Sequence, residues 1–93
     1  MLVEADLVAE VVRFLIGEGK SVAVLARTAG EPLVGSLHWL RAPADAAGYA
    51  HELYASLRLL DRPTTDVIVV ELPPQDAAWS AIADRLARAA ADR

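Results

Sequence analysis

The side chains able to do chemistry in this chain are few, and their spacing limits what they can do. Ser36 and His38 stand two residues apart in an extended-looking segment, so their side chains would share a face. A serine nucleophile needs a histidine base and a carboxylate to orient it. Carboxylates are plentiful, yet no GxSxG elbow surrounds any serine. Ser36 therefore reads as a strand residue, and His38, beside Trp39, as a hydrogen-bonded structural histidine. His51 falls off the apolar stripe of its helix and reads as solvated. Two histidines and no cysteine leave little for a metal centre. The lack of cysteine also excludes disulfides and thiol nucleophiles, and it fits a reducing compartment.

Paired carboxylates are the next candidates for acid–base work, with Asp61, Asp66 and Asp84 the obvious ones. Each has a structural role at hand. Asp61 ends a helix, Asp66 starts a strand, and Asp84 stands one turn from Arg88. Nucleotide binding would need a glycine-rich turn between a strand and its helix. The turn Ala26-Arg27-Thr28-Ala29-Gly30 matches no such fingerprint, and there is no GxxxxGK[ST] loop. Arg58, Arg85, Arg88 and Arg93 could face an anion or a partner, but on helices they read first as solvated cations. A net charge of −4 argues against direct nucleic-acid contact. No catalytic residue, metal ligand or cofactor is expected.

The elements that would position these residues follow from apolar spacing. Leu7, Val8, Val11, Val12, Phe14 and Leu15 recur at helical intervals, which predicts a first helix over Val3–Ile16, stopped by Gly17 and Gly19. That helix begins so early that little room is left for a leading strand. Ser21–Leu25 is an unbroken apolar run, as in a strand covered on both faces. Leu33–Leu40 reads as a second strand, diluted by Gly35, Ser36 and His38. Pro43 and Asp45 open a second helix with the stripe Tyr49, Leu53, Leu57 and Leu60, ended by Arg62-Pro63. Asp66–Leu72 is the clearest strand, and Pro73-Pro74 breaks it. Asp76 then caps a third helix, whose buried stripe is Trp79, Ile82, Ala83, Leu86 and Ala90.

With 93 residues, the chain should be one domain. Strands separated by helices predict an α/β, small Rossmann-like fold, with a mainly parallel sheet of three to four strands flanked by three helices. No apolar run approaches the roughly 20 residues needed to span a bilayer. Glu4 and Asp6 stand where a signal peptide carries positive charge. A soluble, cytoplasmic protein is expected.

Three blocks resemble a known family when taken in order. They are Leu53-Tyr54-Ala55-Ser56-Leu57-Arg58-Leu59-Leu60-Asp61, Asp66-Val67-Ile68-Val69-Val70-Glu71, and Ala81-Ile82-Ala83-Asp84-Arg85-Leu86-Ala87-Arg88-Ala89-Ala90. Together with Gly19-Lys20-Ser21-Val22-Ala23-Val24-Leu25, the succession resembles the C-terminal domain of threonylcarbamoyl-AMP synthases over roughly positions 7–90. Trp79 departs from a segment that is usually glycine-rich in that family. The resemblance implies an accessory, Rossmann-like domain. It would close over or regulate a larger catalytic domain, in cis or in trans, that uses ATP, threonine and bicarbonate to make threonylcarbamoyl-adenylate for tRNA modification. It also singles out Arg58, Asp61, Asp84, Arg85 and Arg88 as the recognisable polar positions, structural or partner-facing. If the second and third helices flank one sheet edge, Arg58 or Arg85 could bridge to Asp84 or Asp61. Two alternatives stay open. One is a free-standing interaction module or homodimer, through a strand edge or helix face. The other is a small-ligand sensor at the carboxyl ends of the strands.

Overall fold

The apolar runs become the centre of one sheet in the computed structural model, which describes residues 1–32 and 37–91. Strand β2 (Val22–Ala26) is buried along its whole length, and β4 (Val67–Glu71) is buried from Ile68 onward. Such strands have no polar face because both faces are covered. Beside them lie β1 (Leu2–Val3) and β3 (Leu37–Arg41). The order is β1-β4-β2-β3, and every pairing is parallel.

Alternation along the strands sorts the core into two layers. Val22, Val24, Ala26 and Val69 face α1 (Val8–Gly17), where Val8 and Val12 are fully buried. Ala23, Leu25, Ile68 and Val70 face the other way. There they meet Tyr49, Leu53 and Leu60 of α2 (Ala46–Leu60) and Ile82 and Leu86 of α3 (Ser80–Ala91). The connectivity explains this division. The chain travels from β1 past β4 to β2 through α1, and returns from β3 past β2 to β4 through α2. Crossovers of one hand running in opposite directions place their helices on opposite faces.

The helix ends are closed by local chemistry. At the end of α1, Gly19 has φ of 81°, which lets its N–H reach the Ile16 carbonyl and the Lys20 N–H reach that of Leu15. Asp45 caps α2 by accepting the Gly48 N–H at 2.9 Å. Asp76 caps a short 3-10 turn, Ala77–Trp79, that leads into α3.

The expected α/β class and the parallel sheet are present. The leading strand is the correction. The first helix does not start at Val3, because Val3 belongs to β1 and a 3-10 turn, Ala5–Leu7, separates it from α1. The cause is the edge of β4, whose backbone groups pair with the first residues of the chain. The Met1 N-terminus donates to the Ile68 carbonyl at 2.7 Å, and the Leu72 N–H donates to the Val3 carbonyl at 2.8 Å. Two strand residues carry no legible period, and Val3 four residues before Leu7 mimics a helical stripe. Of the second expected strand, the described part is Leu37–Arg41, while Leu33–Ser36 lie outside the described residues. Among the described residues, no helix is long and apolar enough to cross a membrane.

Candidate functional site

A parallel sheet offers ligands its carboxyl ends, where turns meet strand termini. Here the end of β4 meets the turn after β2, and the meeting residue is Glu71, only 3% exposed. Its Oε1 accepts the N–H groups of Arg27 at 2.9 Å, Thr28 at 2.8 Å and Ala29 at 2.8 Å. Its Oε2 accepts the Thr28 hydroxyl at 2.7 Å. Three successive N–H groups on one oxygen make a backbone nest for an anion. Burial pushes the Glu71 carboxyl up. The Ala29 N–H, the Thr28 hydroxyl and the Thr28 and Arg27 N–H groups outweigh it, so the net direction is down.

Around this nest the aromatic residues form a clamp. The Arg27 guanidinium lies 5.2 Å from the centroid of the Trp79 ring, and its Nη1 donates to the Ala44 carbonyl at 3.1 Å. Tyr49 meets Trp79 edge-on, with ring centroids 5.2 Å apart. The Tyr49 hydroxyl is pushed up to about 12, first by burial and then by the negative Glu71, with Arg27 opposing. Neither group is equipped for proton transfer near neutral pH. Glu71 holds its charge among donors, and Tyr49 holds its proton. The arrangement ties β2, β4 and the starts of α2 and α3 together. Trp79, 6% exposed, is therefore a core clamp residue.

A second feature lies on the same α2/α3 face of the sheet, further along the two helices. Between α2 and α3, beside β1, runs a groove of about 450 Å³. Tyr54 and Leu57 form one wall, Leu86 and Ala90 the other, and Leu2 and Ile68 lie beneath. Arg58 and Asp61 line the same groove from α2.

The structure thus brings together two of the five polar positions singled out in the sequence. Arg85 joins them at the margin, its guanidinium 6.0 Å from the Tyr54 ring centroid. Asp84 lines a different hollow, with Pro73 and Pro74 at the foot of α3, and Arg88 is exposed on α3. Asp66 accepts the Ser21 N–H at 2.8 Å and joins the starts of β2 and β4. His51 is exposed and His38 is half-buried, its Nδ1 without a hydrogen bond among the described residues. Ser36 and Arg93 lie outside the described residues. Also among the described residues, no group of three or more His, Cys, Asp or Glu is placed to hold a metal ion.

Sequence reasoning missed Glu71, Arg27 and Thr28 as a unit. The available signal was a glutamate closing an otherwise apolar strand, Val67-Ile68-Val69-Val70-Glu71, beside a turn whose amides need an acceptor.

Compared with known proteins, the chain matches the family described as threonylcarbamoyl-AMP synthase, C-terminal domain, over residues 1–91. No curated protein and no solved structure matches it. The chain belongs to that C-terminal-domain family.

Proposed function

We propose that this member of the threonylcarbamoyl-AMP synthase C-terminal-domain family is a non-catalytic accessory domain. It docks on, or closes over, a cytoplasmic catalytic domain that makes threonylcarbamoyl-adenylate for tRNA modification. The observation that carries the reading is the groove between α2 and α3. It is walled by aliphatic side chains and edged by Tyr54, which is 61% exposed. An open apolar groove edged by a few polar groups suits a protein partner. Arg58 and Asp61 would set the orientation of docking through charge, while Tyr54 and Leu57 would supply the buried contact. The acidic group at the carboxyl ends of the strands is engaged within the chain, so the docking role draws on the groove.

The test is reconstitution in trans. With ATP, threonine and bicarbonate, the chain alone yields no pyrophosphate. Added to its matching catalytic domain, it binds and changes turnover. Pyrophosphate from the chain alone would contradict the non-catalytic role. An absence of both binding and rate change would contradict docking.

A second reading, self-association, has one observation in its favour. Leu7 and Phe14, two turns apart beside and on α1, are 42% and 64% exposed. A dimer in light scattering that Phe14→Ser abolishes, with no response to the catalytic domain, would favour it.

A further inference from the structure

The contact between Glu71 and the turn after β2 has the form of ligand recognition. Its partners lie 42 to 44 residues away in sequence, so nothing local in the turn supplies the acceptor. Both carboxylate oxygens are engaged: one by three successive backbone N–H groups, the other by the Thr28 hydroxyl. A free carboxylate seated in such a nest would be held the same way. The location is also the place where open parallel sheets take their ligands, outside the carboxyl ends of adjacent strands.

We infer that Arg27–Ala29 is an oxyanion site for a small carboxylate, and that Glu71 fills it as a tethered ligand and latches this end of the sheet shut. Tethering explains why the site stays closed. A group carried on β4 and already oriented competes at an effective concentration far above that of any free anion. Removing the Glu71 carboxylate leaves four donors and a space its own size, suited to acetate or formate. The inference is independent of docking at the groove, whose lining includes none of Arg27, Thr28, Ala29 and Glu71.

The experiment is chemical rescue of the 93-residue chain. Glu71→Ala melts below the wild type. Sodium acetate or formate raises its melting temperature with saturation, and sodium chloride at equal ionic strength does not. The backbone N–H resonances of Arg27, Thr28 and Ala29 move along the same titration, and the wild type responds to neither anion. A variant that acetate and formate leave unchanged, or a wild type that responds equally, would overturn the inference. If Glu71→Ala does not fold, Glu71→Gln keeps the side-chain volume and removes the charge. The latch then requires exchange of those three amides to quicken by about tenfold, and unchanged exchange would overturn it.

Discussion

At the carboxyl ends of β2 and β4, polar atoms are concentrated and turned on one another. In the groove between α2 and α3 they are sparse, and aliphatic walls stand open. Glu71 is 3% exposed and holds four donors, whereas Tyr54 is 61% exposed at the groove's edge. The first region binds the molecule to itself, because an unpaired buried N–H is costly and a paired one fixes geometry. The second leaves apolar surface open to solvent, which the proposed docking would cover. The comparison teaches that substitutions near Glu71 should act on stability, and those lining the groove on association.

The largest expected effect falls on the nest. Glu71→Ala strips the acceptor from three backbone N–H groups and one hydroxyl, and should lower stability by about 3–4 kcal/mol in urea unfolding. A loss below about 1 kcal/mol would break the contrast.

Acid should reveal the same contact more gently. The Glu71 carboxyl is held below its ordinary value, so the folded state favours the ionised form. Its contribution is fully present above the ordinary glutamate range and disappears as pH falls through the lowered value. Tyr49, which also faces it, is pushed up to about 12 and keeps its proton throughout that window. Unfolding curves taken from pH 7 down to about pH 3 should therefore fall more steeply for the wild type than for Glu71→Gln. Parallel curves would show that Glu71 is not responsible.

Tyr49→Phe sharpens the comparison from inside the clamp. The hydroxyl is buried without a hydrogen-bond partner among the described residues, so its removal should leave stability within about 0.5 kcal/mol, or raise it. A loss beyond about 1 kcal/mol would mean that the hydroxyl has an unrecognised role. Of no greater size, Tyr54→Ala at the exposed margin of the groove should change the unfolding free energy by no more than about 0.5 kcal/mol. A larger loss would make that wall part of the core.

The fold was legible wherever burial acts on both faces of an element. The apolar runs Ser21–Leu25 and Asp66–Leu72 read as covered strands and contain β2 and β4 nearly whole, and of the helical stripe Tyr49, Leu53, Leu57 and Leu60, Leu57 alone is only half-buried. Leu2–Val3 was not legible, because two residues have no period and their pairing depends on β4, nearly 70 residues away. Arg58 and Asp61 belong to one motif in the sequence, and both line the groove. Glu71 escaped for the opposite reason. A glutamate closing a strand looks like a solvent-facing terminus until the turn at Arg27–Ala29 is brought beside it, and no local spacing encodes that approach.

The most direct measurement is calorimetric titration of the matching catalytic domain with the wild-type chain, a Tyr54→Ala/Arg58→Ala double variant, and Phe14→Ser. The account predicts saturable binding by the wild type and by Phe14→Ser, weakened about tenfold or more in the groove variant. No binding at all, or binding lost with Phe14→Ser and untouched by the groove variant, would contradict it.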